Sequence, residues 1–152
     1  MNNFQGWLNI YKPSGLTSFT VVKKIKQKFN LNQIGHGGTL DPLAEGILPI
    51  AIGKATKLIQ FINKDHKEYE FEIKWGTQTT TDDSEGDIIN SSKKIPNLLE
   101  IKKALVEFQG EIFQKPPNVS SVKINGERAY KLFREKKDFI LKEKKVIIYS
   151  VR

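Results

Sequence analysis

Residues 35–46 read GHGGTLDPLAEG, and the chain runs directly on into ILPIAIGKATK at residues 47–57. Four glycines among these first twelve residues permit tight turns with positive φ angles. The apolar run that follows predicts a buried strand, so a polar loop is attached to buried structure. The loop contains His36, one of two histidines in the chain, and Asp41, which precedes a proline. Both are candidate functional residues.

Each candidate also has a purely structural interpretation. The pair Asp41-Pro42 fits the start of a helix, with aspartate as the N-cap and proline at the first helical position. His36, which lies between two glycines, fits a solvated loop residue. Residue type and spacing alone leave these interpretations open.

The charge balance favours a polyanionic partner. The chain has 25 Lys+Arg against 17 Asp+Glu, a formal net charge of +8. An excess of this kind attracts RNA or DNA by neutralising phosphates. Three of the basic residues are arginines and 22 are lysines, which act as point charges rather than bidentate readers. Composition therefore predicts non-specific attraction to a nucleic-acid backbone.

Length and composition predict a soluble, unexported, cytoplasmic protein. A chain of 152 residues with 38% hydrophobic content is long enough for one domain with a sizeable core. The absence of cysteine excludes disulfides and thiolate metal sites and suits the cytoplasm. No apolar run reaches about 18 residues, and the N-terminus lacks a signal-peptide core.

The N-terminal region predicts a strand followed by a helix. Residues 6–13 (GWLNIYKP) read as a short strand closed by proline, and Ser14-Gly15 turns the chain. Thr17 or Ser18 can cap a helix whose apolar residues recur at helical spacing. These are Phe19, Val22, Ile25 and Phe29. Lysines cover the remaining surface; a solvated charged face is the default interpretation, and an RNA-facing one is the alternative.

The middle of the chain predicts further strands. Residues 47–52 suit a buried strand and residues 54–62 a short helix. From residue 68 to residue 75 aromatic and apolar side chains alternate with charged ones, which predicts a strand with Tyr69 on its buried face. Residues 76–87 form a polar loop with several acids. Their spacing fits neither an EF-hand nor a cluster with histidine, so no metal site is predicted.

The last third combines helix signals with a hairpin. Asn97 and Glu100 form a capping pattern for a helix with Leu98, Ile101, Leu105 and Phe108 on one face. Residues 114–130 contain a proline stop, a β-like run and an Asn-Gly turn. The lysine-rich residues 131–145 suit a helix and a loop, and residues 146–151 suit a strand.

Four segments, in order, resemble one protein family. Residues 35–49 resemble the catalytic motif of the TruB family, the bacterial tRNA pseudouridine-55 synthases. Residues 12–18 (KPSGLTS) resemble the family's first motif, which is chiefly structural. Residues 76–83 resemble its Gly-x-x-Thr-x-Thr-x-Asp segment, which borders the active-site cleft. Residues 116–130 resemble the family element that ends in Gly-x-Arg-Ala-Tyr.

The resemblance implies an activity and a set of site residues. Asp41 corresponds to the catalytic aspartate, and His36 to the histidine that fills the position vacated by the flipped base. Tyr69 corresponds to the tyrosine that stacks on that base, and Lys12 and Arg128 are assigned to substrate binding. The implied substrate is the T arm of tRNA, modified without a cofactor or metal. An insertion near residues 114–145 is expected to close over the RNA.

The resemblance also implies a fold and an incomplete domain. We expect an α+β architecture with a mixed, largely antiparallel sheet flanked by helices. Residues 1–152 correspond to the N-terminal part of a pseudouridine synthase catalytic domain. The remainder of that domain and the C-terminal RNA-binding module are expected to be absent from these 152 residues. The final strand, at residues 146–151, is therefore expected to lack its neighbours in an interrupted sheet.

Two alternatives to a complete synthase follow. The family pairs its catalytic aspartate with an arginine, and none of Arg128, Arg134 and Arg152 stands in the matching motif. A non-catalytic tRNA-binding remnant is one alternative. A glycoside hydrolase that uses Asp41 and Glu45 as its carboxylate pair is the other, although a four-residue spacing is poor support for residues that flank a sugar bond.

Overall fold

The computed structural model of the chain describes residues 4–62, 66–117, 119–120 and 122–152. The chain divides into two compact units, Met1–Glu70 and Phe71–Arg152. The first unit contains strands β1 (Gly6–Lys12), β2 (Ile34–His36) and β3 (Gly46–Ile52), helix α1 (Ser18–Lys28), a 3-10 helix (Gly53–Leu58) and helix α2 (Ile59–Ile62).

Strand pairing organises the first unit. The three strands form an antiparallel sheet in the order β1-β3-β2, with Gly6 opposite Ile52 at one end of β1 and Lys12 opposite Gly46 at the other. The predicted strands at residues 6–13 and 47–52 are both confirmed. The core cluster joins α1 to β3 through four buried side chains, Val21, Val22, Leu48 and Ile50.

Helix α1 begins where the sequence predicts, but its buried face is rotated. The Thr17 hydroxyl accepts a hydrogen bond from the Thr20 amide at 3.0 Å, so Thr17 is the N-cap. Val21 and Val22 are buried, whereas Phe19, predicted on the apolar face, is 70% exposed. The face that packs on the sheet is centred near residues 18, 22 and 25. Phe19 lies about 100° around the helix from Ser18, at the edge of that face.

The second unit contains short helices and strand pairs. Its elements are β4 (Thr77–Thr79), β5 (Ile88–Ser91), α3 (Leu98–Glu107), β6 (Gly110–Gln114), β7 (Lys123–Ile124), β8 (Glu127–Arg128), α4 (Ala129–Arg134) and β9 (Lys144–Ile148). The pairs β4-β5, β6-β9 and β7-β8 are all antiparallel. The predicted α+β class is confirmed, and each pairing among the described strands is antiparallel.

Two local predictions in this unit are confirmed. The Asn97 side chain accepts from the amide of Glu100, and the Glu100 carboxylate accepts from the amide of Asn97, which completes a capping box. Asn125 and Gly126 have φ angles of 50° and 91° between β7 and β8, as a two-residue Asn-Gly hairpin requires. The last strand, expected to lack its neighbours, pairs with β6 over five residues.

The prediction of a strand around residues 69–75 is wrong. Residues 66–74 belong to no helix or strand, and Trp75 and Gly76 form a turn. Tyr69, Phe71, Ile73 and Trp75 are 68%, 69%, 56% and 43% exposed. Alternation identifies the two faces of a strand, but a strand also needs a hydrogen-bonded neighbour. Among the described strands none pairs with this segment, so its apolar side chains remain exposed.

Candidate active site

Asp41 lies in the loop that joins β2 to β3. The loop leaves the sheet after His36 and returns at Gly46, where β3 begins. Gly38 and Gly46 have φ angles of 136° and 138°, a region that side-chain-bearing residues rarely adopt. These two glycines therefore bracket the turn that carries Asp41 away from the sheet and back. We call residues 37–45 the Asp41 loop.

The structure does not form a helix at Asp41. Residues 41–45 contain no helical turn, and the Ala44 amide donates to the Asp41 carbonyl at 3.1 Å in an isolated turn. The interpretation of Asp41-Pro42 as a helix start is therefore wrong. The Asp41 side chain is exposed, and its carboxylate has no hydrogen-bond or ion-pair partner among the described residues. The group is open to an incoming ligand.

Lys12 is a buried anchor of this loop. Its side chain is fully buried, and its ammonium donates to three backbone carbonyls, those of Leu16 at 2.7 Å, Pro13 at 3.0 Å and Pro42 at 3.3 Å. An ammonium has three protons to donate, so the three carbonyls satisfy it. Lys12 therefore joins the turn after β1 to the residue that follows Asp41.

Other residues of the 12–18 segment fix the loop on both sides of Asp41. The Ser18 hydroxyl donates to the Leu40 carbonyl at 3.1 Å and accepts from the Leu40 amide at 3.0 Å. On the other side, the Gly15 amide donates to the Pro42 carbonyl at 2.8 Å. The Ser14 hydroxyl donates to the Leu43 carbonyl at 2.9 Å. The loop backbone is thus held while the Asp41 side chain remains exposed.

His36 is the last residue of β2 and is half-buried. It lies opposite Ile50 of β3, and its Nδ1 atom and the Gly38 carbonyl are hydrogen-bond partners. A carbonyl only accepts, so Nδ1 is the donor in this hydrogen bond. The bond orients the imidazole at the point where the Asp41 loop begins.

Tyr11 and Glu45 form a contact at the far end of the loop. Tyr11 is the penultimate residue of β1, and Glu45 precedes the first residue of β3. A hydrogen bond to the Glu45 carboxylate, with burial and the carboxylate's charge as smaller causes, raises the pKa of the Tyr11 phenol. The phenol donates, because an ionised carboxylate only accepts. The contact links the end of the Asp41 loop to β1.

The other two predicted site residues lie outside these contacts. Tyr69 is in the exposed segment 66–75 and is itself 68% exposed. Arg128 is the last residue of β8 in the second unit and is exposed. Lys12, His36 and Asp41 are joined through the backbone of one loop, whereas Tyr69 and Arg128 are not part of it.

The loop-holding contacts were missed by the sequence analysis. Ser14 and Ser18 lie in a segment recognised as a motif, yet their partners are 22 to 29 residues away in the chain. The resemblance of residues 12–18 to a chiefly structural family motif indicated a structural role, but it did not identify these partners. Within the described ranges, no group of three or more His, Cys, Asp or Glu could hold a metal ion. In the same ranges, no helix is long and apolar enough to cross a membrane.

Comparison with known proteins provides independent evidence. The sequence model for the TruB family pseudouridylate synthase N-terminal domain matches residues 26–152. The chain is 51% identical to the tRNA pseudouridine synthase B of Wolbachia pipientis subsp. Culex pipiens (strain wPip), covering 97% of this chain and 42% of that protein. It is 46% identical to a protein of Rickettsia prowazekii (strain Madrid E) whose name, tRNA pseudouridine synthase B, is provisional, covering 100% of this chain and 87% of that one.

The chain is also similar to a protein of known structure. One chain in the crystal structure of a Cbf5-Nop10-Gar1 complex is 35% identical, with a TM-score of 0.52, over 78% of this chain and 31% of that one. The chain spans only 42% to 50% of the length of several curated relatives. The family model covers the segment that contains Asp41, and the match to the Rickettsia relative covers most of that protein's length. The chain belongs to the TruB family of pseudouridylate synthases.

Proposed function

We propose that this chain is a tRNA pseudouridine synthase that isomerises a uridine of the T loop, at position 55. One observation supports the activity above the others: the family's aspartate motif forms a loop whose backbone is hydrogen-bonded on both sides of Asp41 while the carboxylate is exposed. The relatives' name, tRNA pseudouridine synthase B, supports tRNA as the substrate. The net charge of +8 favours a polyanionic partner.

The chemistry needs one well-placed carboxylate. The N1–C1′ bond of the uridine breaks, the uracil rotates, and a C5–C1′ bond forms; C5 then loses its hydrogen as a proton while N1 gains one. Asp41 starts this sequence either by attacking C1′ or by removing the proton at C2′. Both routes need the carboxylate held in its productive position with an error smaller than about 1 Å, which is the role of the loop contacts.

Substrate handling is assigned to residues around the loop. The uridine must leave its stack, because its glycosidic bond is not reachable inside a folded RNA loop. His36 would occupy the vacated position, and the exposed ring of Tyr69 would stack on the extruded base. Arg128 would contact the RNA backbone. Because Lys12 is fully buried, its contribution to substrate binding would be indirect, through the position of the Asp41 loop.

The proposal includes the domain organisation and the compartment. Residues 1–152 would form the N-terminal part of the catalytic domain, and the region near 114–145 would close over the RNA. The β7-β8 hairpin and α4 lie in this region, which carries several exposed lysines. An RNA-modifying protein without cysteine fits the cytoplasm.

The test is tritium release from a T-arm stem-loop labelled at C5 of its uridines. C5 loses its hydrogen only if the base is re-attached through that atom. The wild-type protein is compared with Asp41→Asn and with a matched control, Glu107→Gln, which makes the same carboxylate-to-amide change at the exposed end of α3. We expect release by wild type and control and at least a thousandfold less by Asp41→Asn, with RNA affinity nearly unchanged in all three.

Each other outcome has a distinct meaning. RNA binding without tritium release, by a protein verified as folded, would favour the non-catalytic remnant. Free uracil or an unattached sugar among the products would favour the hydrolase, in which Glu45 would act with Asp41. Equal release by wild type and Asp41→Asn would overturn the assignment of the catalytic carboxylate.

A further inference from the structure

An open groove lies beside α1 in the first unit, with a volume of about 510 Å³. Val22 and Ile34 lie in its lining and are buried or half-buried, and the exposed ring of Phe19 lies beside them. Lys23 and Lys26 contribute two ammonium groups to the same lining. The volume falls within the range of about 300–1,000 Å³ typical of sites for small organic groups. We call this feature the α1 groove.

The groove lies in a strongly positive part of the chain. Helix α1 contains four lysines and no acidic residue, and the first acidic residue of the whole chain is Asp41. None of the ion pairs among the described residues involves Lys23 or Lys26. Their charges are therefore not neutralised by a neighbouring carboxylate, and they favour an anionic occupant.

The spacing along α1 places an aromatic ring and two charges on one face. Phe19, Lys23 and Lys26 are separated by four and three residues, the spacing at which helical side chains lie above one another. Phe19 is 70% exposed, so most of its apolar side chain does not pack in the core described above. An aromatic face with ammonium groups alongside is the arrangement that binds a base by stacking and the adjoining phosphates by charge.

A membrane surface is the less favoured partner. A helix that lies in a membrane interface presents a continuous apolar face. In α1 the buried apolar residues, Val21 and Val22, are committed to the protein core, which leaves Phe19 as the exposed apolar side chain near the groove. One aromatic ring beside unneutralised lysines fits a nucleotide strand better than a bilayer.

We propose that the α1 groove binds an unpaired segment of the RNA substrate, with one base on the Phe19 ring and its neighbouring phosphates on Lys23 and Lys26. This contact is additional to the Asp41 loop, and it rests on the proposed function in that the substrate is RNA. It would orient the tRNA on the first unit.

The test measures affinity for an unmodified tRNA transcript by fluorescence anisotropy at several salt concentrations. Lys23→Ala/Lys26→Ala is compared with Lys102→Ala/Lys103→Ala, which removes two exposed lysines from α3. Loss of two phosphate contacts to a single strand should reduce the slope of log K against log salt by about 1.4. Phe19→Ala is compared with Phe108→Ala, another exposed phenylalanine. It should weaken binding about tenfold without changing the slope.

The outcomes separate this inference from the proposed function. If all four variants bind tRNA like wild type while wild type releases tritium, the groove proposal is overturned and the synthase proposal remains. If the wild-type protein neither binds tRNA nor releases tritium, both proposals fail. Melting temperatures are measured for every variant. If Phe19→Ala proves unstable, the lysine pair, whose side chains are exposed, decides the question alone.

Discussion

Ser18→Ala tests whether the 12–18 segment holds Asp41 in place. Ser18 is 2% exposed, and its hydroxyl bonds both polar backbone groups of Leu40, the residue before Asp41. Alanine keeps the helix and removes only the oxygen. The Leu40 carbonyl and amide then lose this partner at a partly buried position.

The expected cost follows from these two hydrogen bonds. Each contributes about 0.5–1.5 kcal/mol net, so the free energy of unfolding should fall by about 1–3 kcal/mol. For a chain of this size that corresponds to a lower melting temperature by about 2–12 °C. The released loop also allows Asp41 to move, and a displacement of about 1 Å can reduce turnover on the order of a hundredfold. We therefore expect a loss of activity larger than the loss of stability alone explains.

The assays are urea unfolding and tritium release, measured at a temperature where every variant is folded. Ser14→Ala is the matched control, because it removes one exposed hydrogen bond to the same loop. It should cost at most about 1 kcal/mol and leave most of the activity. Ser18→Ala with wild-type unfolding and wild-type turnover would refute the reasoning that this hydroxyl positions Asp41.

Two further predictions concern the same loop. Lys12→Met leaves three carbonyls without their donor and should lower the free energy of unfolding by at least about 2 kcal/mol in urea unfolding; an unchanged unfolding midpoint would contradict the anchor role. Because the Glu45 hydrogen bond raises the pKa of Tyr11 above about 10, the stability that the bond contributes is present below pH 10 and is lost as pH rises through the raised value. The difference in phenolate absorbance between wild type and Tyr11→Phe reports the titration of Tyr11, which should occur at a raised pH. Glu45→Gln should return the pKa of Tyr11 to its ordinary range. A Tyr11 titration that Glu45→Gln leaves unchanged would show that the bond does not form.

Features set by a few neighbouring residues were predictable. Thr17 caps α1, and Asn97 with Glu100 caps α3, because an N-cap is satisfied by amides two or three residues away. Asn125-Gly126 forms the hairpin turn because these residues tolerate positive φ angles. In each case the interacting groups are close in the chain, so the pattern contains the whole interaction.

Features that depend on distant partners were not predictable. The alternation around Tyr69 has the two-residue period of a strand. However, such a pattern contains no information on whether a neighbouring strand is present to pair with it. The apolar spacing in α1 included Phe19, yet the packing of Val21 and Val22 on β3 set which face is buried. An Asp-Pro pair that fits a helix start forms a loop instead, in which the Pro42 carbonyl accepts hydrogen bonds from Gly15 and Lys12 of a distant segment.

The sequence by itself determined the family and its candidate catalytic residue, since the motif around Asp41 is a contiguous run that needs no partner to be recognised. Only the tertiary structure decided how that residue is held. Lys12 and Ser18 bond the Asp41 loop and Leu40 before it across 30 and 22 residues of chain, and β1, which ends at Lys12, is paired with β3. A buried polar group needs a hydrogen-bond partner, and tertiary packing rather than local sequence determines which group becomes that partner.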